Sequence, residues 1–133
     1  MVMQRVEQPE IQVMYVESPT GLAGAGEAFR QLEARLPGLK SRKFYGTFQP
    51  PDGPYRACVA IEPGDDPPTM GLATWTIPGG RYSRGKLANW EDHIPQIGQT
   101  FQRMAQEDER DPSRPSVEFY RSQRELVLLL PIR

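Results

Sequence analysis

The chain has 133 residues, with sixteen basic against seventeen acidic side chains and a net charge of −1. That length suits one domain with its own core, and interspersed charges near neutrality argue against the basic face of a nucleic-acid binder. One cysteine, Cys58, excludes an internal disulfide; no apolar run approaches the roughly 18 residues of a membrane helix, and the N-terminus lacks a signal-peptide core, so the expected address is the cytoplasm.

In chain order, Ile11 to Val16 (IQVMYV) is β-rich and precedes a turn at Ser18-Pro19, which predicts a strand. From about Gly21 to Leu36, Ala25, Phe29, Leu32 and Leu36 recur at helical spacing, and Pro37-Gly38 ends the helix. Lys40 to Gln49 and Tyr55 to Glu62 read as two strands joined by a hairpin loop, Pro50-Pro51-Asp52-Gly53-Pro54. An acidic, proline-rich loop follows, then a strand at Gly71 to Ile77, a bend or bulge at Gly79-Gly80, and a further strand at Arg81 to Leu87. Glu91 to about Glu107 puts Ile94, Ile97, Phe101 and Met104 on one helical face, with Pro95 in the first turn, where its missing N–H costs nothing. The polar run Glu107 to Pro115 reads as a solvated loop. Ser116 to Arg121 and Glu125 to Ile132 close the chain as a hairpin.

Each half, about 11–62 and 71–133, thus gives strand, helix, strand, strand. Lys43-Phe44-Tyr45 and Glu118-Phe119-Tyr120 open the two hairpins, which predicts that Lys43 and Glu118 occupy matching positions. The expected fold class is α+β: duplicated strand-helix-strand-strand modules forming one antiparallel sheet, two helices on one face, and a central ligand cleft between them.

The segments KFYGTFQPPDGPYRACVAIEP, TWTIPGGRY and PSVEFYRSQRELVLLLPIR resemble the GyrI-like (gyrase-inhibitor-like) small-molecule-binding domain, which also serves as the effector-binding part of AraC-type and MerR-type transcription regulators. The resemblance runs from about Ile11 to Arg133. It is most specific in the C-terminal block, where a Glu stands two residues before a Tyr, ahead of an apolar strand ending Pro-Ile. It implies a pocket for hydrophobic, often cationic, ligands with a buried Glu, which by its place in the motif is Glu118. Some stand-alone members resemble hydrolases of cyclopropane-containing toxins, and others are linked to gyrase protection. No room for a DNA-binding segment is expected before Ile11, so the expected role is a stand-alone binder that senses or sequesters a small organic ligand. A second copy of the chain or a separate regulator is left open as a partner.

Glu118 shares a strand face with Tyr120 by period two. In the binding reading a ligand cation or a tyrosine satisfies its carboxylate; in the structural alternative it is an exposed side chain paired with Lys43. In the hydrolase reading Glu118 is the acid or base, and Tyr120 or Tyr45 orients the reacting group. Tyr45, Trp75 and Tyr120 are candidate pocket walls, with Trp90 and Phe101 as weaker ones, because aromatic faces attract cations and apolar bodies alike. Core packing is the alternative for each. His93, the one histidine, has no metal-ligand pattern around it, and no metal or other cofactor is expected. Cys58 lies in an apolar strand and reads as packed. The glycine-rich stretch Gly21 to Gly26 lacks the Lys-Ser/Thr of a phosphate loop and reads as a helix entrance.

Overall fold

A computed structural model describes residues 3–133. Its strands are β1 (Gln4–Gln8), β2 (Ile11–Ser18), β3 (Phe44–Phe48), β4 (Tyr55–Ala60), β5 (Ala73–Ile77), β6 (Gly80–Ala88), β7 (Ser116–Tyr120) and β8 (Glu125–Pro131). The helices are α1 (Ala25–Ala34), the single-turn α2 (Pro67–Met70) and α3 (Pro95–Glu107). One turn of 3-10 helix precedes α1 at Gly21–Gly24 and another precedes α3 at Trp90–Asp92.

All eight strands form one antiparallel sheet in the order β1-β6-β8-β7-β3-β4-β2-β5. The order repeats about the central β3–β7 pair: β3-β4-β2 on one side answers β7-β8-β6 on the other. Helix α1 packs on β2 and β4, and α3 packs on β6 and β8. This is the duplicated strand-helix-strand-strand arrangement expected from the sequence.

The outer strands add what the sequence pattern does not show. β1 pairs with β6 of the other half, and β5 pairs with β2, so each half lends its leading strand to its counterpart. The links β1–β2 and β5–β6 cross: a Cβ at Gly79 would sit 2.7 Å from the backbone N of Glu10 and 2.9 Å from the carbonyl of Gln8. Only glycine permits that backbone approach. The crossing draws the two edges together and curls the sheet. Val13 and Ile77 from one side, Tyr45 and Val117 from the centre and Tyr82 from the other side then form one cluster within the curl.

The helix-facing side carries two separate cores. Met14, Ala57 and Val59 pack under Ala28 and Leu32 of α1, and Leu126, Leu128 and Leu130 pack under Met104 of α3. β8 is buried on both faces, which explains its unbroken apolar run.

Three expectations are corrected. β1 is a strand that the sequence pattern does not predict, because QRVEQ is polar and mostly exposed at the sheet edge. Lys43 does not match Glu118: β3 and β7 are both five residues long, and Gly46, the middle of β3, stands where Glu118 stands in β7. The run Glu107 to Pro115 is not merely solvated. The Arg114 guanidinium lies 4.8 Å over the Tyr82 ring and donates hydrogen bonds to the carbonyls of Arg81 and Ile132.

Candidate functional site

The central strands face the gap between α1 and α3. In an antiparallel pair, directly opposite residues share a face. Gly46 opposes Glu118, Phe44 opposes Tyr120 and Phe48 opposes Ser116, so all six face the helices, whereas Tyr45, Thr47, Val117 and Phe119 face the curl. Neither helix covers this strip. The apolar arc of α1 is wider than its core needs: Ala28 and Leu32 are buried against the sheet, while Ala25 and Phe29 turn to the gap. In α3 Thr100 and Met104 are buried, while Ile97 and Phe101 turn to the gap.

The result is a two-lobed cleft. One lobe, of about 570 Å³, has Glu118, Tyr55 and Ser116 on its floor and Phe48 and Phe101 on its walls. The other, of about 500 Å³, is walled by Phe29, Phe44 and Trp90, with Glu33 lining it as well. Tyr120, Ala25 and Ile97 border both lobes, as do Leu22 and Ile94, whose exposure of 54% and 58% leaves apolar lips open to solvent. The volumes match those of small-molecule pockets, and the lining is mainly apolar with few convergent polar groups.

The polar centre is a carboxylate held by two phenols. Tyr55 and Tyr120 donate hydrogen bonds to Oε1 of Glu118 at 2.7 and 2.8 Å, and their hydroxyls lie 3.4 Å apart. Gly46 makes the room. A Cβ there would lie 2.5 Å from Glu118 Oε1, 2.9 Å from Cζ of Tyr55 and closer still to its hydroxyl. Burial pushes the Glu118 carboxyl above its ordinary value, and the bonds from Tyr55 and Tyr120 only partly offset this. Burial, with the neighbouring carboxylate, also pushes both phenols far up, so they remain donors. Among the described residues no basic side chain forms an ion pair with Glu118. The carboxyl thus sits half-buried in an apolar cleft, held by two hydrogen bonds and, among the described residues, by no ion pair.

Four of the expected site residues meet here: Glu118, Tyr120, Trp90 and Phe101. Trp90 stands edge-on to Tyr120 with ring centroids 5.0 Å apart, and its indole N–H donates to the carbonyl of Ser122. Phe101 both lines the cleft and packs on the α3 core. Tyr45 and Trp75 are not in the cleft. Both lie on the curl face, Tyr45 stacked on Phe119 at 4.9 Å and Trp75 beneath the Arg56 guanidinium at 4.5 Å. Cys58 is on that face too, fully buried, with its thiol pushed up to about 12 by burial. The exposed alternative for Glu118, paired with Lys43, does not hold: its carboxylate bonds are to Tyr55 and Tyr120.

Sequence reasoning missed Tyr55, Gly46, Phe44, Phe48 and Phe29. Phe29 stood in the predicted helix as a core position; its ring is edge-on to Tyr120 at 5.2 Å. Tyr55 opens β4 opposite Phe48, and that register would have found it.

No protein-family model and no curated protein matches this sequence. Solved structures do share the fold. An integron cassette protein from the mobile metagenome of Vibrio cholerae aligns with a TM-score of 0.73 at 15% identity, covering 98% of this chain and 95% of its own. The EcmrR C-terminal domain aligns with a TM-score of 0.68 at 9% identity, covering 99% and 97%. SAV2435 bound to tetraphenylphosphonium aligns with a TM-score of 0.67 at 13% identity, covering 100% and 94%. The chain therefore has the fold that the sequence resemblance implies.

Proposed function

We propose that this chain is a single small-molecule-binding domain whose cleft senses or sequesters a hydrophobic cation with Glu118 as its counter-charge. The observation that carries this reading is the Glu118 carboxyl: it is buried in the cleft, bonded by two phenols and, among the described residues, without a basic partner. An apolar neutral ligand would leave that anion desolvated and uncompensated. A lipophilic cation satisfies it while its apolar body fills the lobe beside Phe48 and Phe101. SAV2435, which shares the fold, is bound to a cation of this kind. In a sensing role, the signal would pass to a separate regulator in the cytoplasm or to a second copy of the chain. A thermal-shift screen with lipophilic cations tests the reading. Tetraphenylphosphonium and its relatives should raise the melting temperature as a saturating function of concentration, and a flat response to all of them would refute it.

The raised carboxyl favours a second reading, a metal-independent hydrolase of small hydrophobic electrophiles. A carboxyl that keeps its proton above the usual range is suited to act as a general acid, and Tyr120, bonded to it, would orient the reacting group. Incubation with a cyclopropane-bearing electrophile separates the two: multiple turnover supports the hydrolase, and stoichiometric capture supports the binder.

A further inference from the structure

The proposal above uses one lobe. The other has a cation-recognising chemistry of its own. Three rings converge on it: Phe29 is edge-on to Tyr120 at 5.2 Å and 78°, and Trp90 meets the same ring at 5.0 Å and 69°. Two rings standing nearly perpendicular to a third, all lining one hollow, offer it π-faces and edges that suit a quaternary or methylated ammonium. Glu33 is the one charged residue among those lining the lobe. Among the described residues it enters no ion pair; its helix neighbour Arg30 is taken by Glu27 at 2.8 Å. Aromatic walls with a carboxylate at the margin are what an ammonium head requires, and Glu33 stays partly exposed, so its charge stands ready without desolvation.

The two lobes are not separate sites. Tyr120 borders both, bonded to Glu118 through its hydroxyl and touching Phe29 with its ring. Glu33 lies one helical turn beyond Phe29, about 6 Å along the axis of α1. The path runs 2.8 Å from Glu118 to the Tyr120 hydroxyl, across that ring, 5.2 Å between its centroid and that of Phe29, and one helical turn on to Glu33, on the order of 15 Å in all. We propose that the second lobe is a second cation subsite, formed by Phe29, Trp90, Tyr120 and Glu33, and that the ligand class is an elongated amphiphile with a positive group at each end. The inference rests on the reading of Glu118 as the first counter-charge.

Titration calorimetry with two matched probes tests it. Decamethonium carries a trimethylammonium group at each end of a ten-carbon chain; decyltrimethylammonium, used below its micelle concentration, carries one. Decamethonium should bind about tenfold more tightly, and hexamethonium, too short to span the lobes, should lose most of that advantage. Glu33→Gln, on a solvated helix face, should lower decamethonium affinity severalfold more than that of the monocation. Glu118→Gln should weaken both. Equal affinities for the two probes in the wild type, or equal losses in Glu33→Gln, would overturn the second subsite and leave the Glu118 reading intact. Binding of neither probe, nor of tetraphenylphosphonium, would overturn both.

Discussion

Gly46 lies directly across the β3–β7 ladder from Glu118, and the space where its Cβ would be is taken by the Glu118 carboxylate and the Tyr55 hydroxyl. The strand that forms the pocket floor thus gives up a side chain so that a charged one can bend beneath the phenols. Gly46→Ala should displace Tyr55 or Glu118 and break their 2.7 Å bond. The Tyr55 ring atom Cζ, held in a fully packed side chain, cannot retreat freely. The expected cost is about 1–3 kcal/mol of stability, with weaker cation binding. Urea denaturation checks it; an unchanged midpoint would mean the carboxylate does not sit where Gly46 leaves room.

The raised Glu118 carboxyl makes a pH prediction. A carboxyl whose folded value lies above its unfolded one favours the fold when protonated. Its contribution is fully present below the ordinary Glu value of 4.5 and is lost as pH rises through the raised value. Glu118→Gln keeps an acceptor for the two phenols and never ionises. The apo variant should therefore be more stable than the wild type at neutral pH, and the difference should shrink as pH falls toward 4.5. Thermal unfolding across that range measures it, and a variant less stable at neutral pH would contradict the assignment.

Cation binding runs the other way. A bound cation stabilises the ionised carboxylate, so affinity should increase as pH rises through the raised value, with proton release in that window. Tyr55→Phe removes one of the two bonds that hold the carboxyl down. The midpoint of the affinity-versus-pH curve should then move up, and stability should drop by about 1–3 kcal/mol. A midpoint that stays in place would show that Tyr55 does not support the charged form.

The two tryptophans offer an optical test. Trp90 lines the cleft and Trp75 lies on the other face of the sheet, beneath Arg56. Ligand-induced fluorescence change should survive Trp75→Phe and disappear in Trp90→Phe. The opposite pattern would place the ligand within the curl.

These residues also show where the sequence was readable. Helices α1 and α3 and seven of the eight strands follow from local pattern, and period two alone puts Glu118 and Tyr120 on one face; the single turn of α2 lies in what reads as a proline-rich loop. Deciding which residues of other strands join them needs the ladder register, which no local pattern supplies. Tyr45 is expected in the pocket as an aromatic wall, yet Gly46 is the residue opposite Glu118, so Phe44 and Phe48 face the cleft and Tyr45 faces away. Matching Lys43-Phe44-Tyr45 to Glu118-Phe119-Tyr120 misaligned the halves by the same route. β1 goes unpredicted because an edge strand buries little, and Trp75, expected as a pocket wall, lies in the curl because its pairing with β2 turns it there.

The central claim is that Glu118 recognises positive charge. Tetraphenylphosphonium and tetraphenylborate have the same shape and opposite charge, and calorimetry of both against the wild type and Glu118→Gln isolates that charge. The account predicts that the wild type binds the phosphonium at least about tenfold more tightly than the borate, and that Glu118→Gln narrows the gap mainly by weakening the phosphonium. Equal binding of the two ions by the wild type, or a gap that Glu118→Gln leaves unchanged, would contradict it.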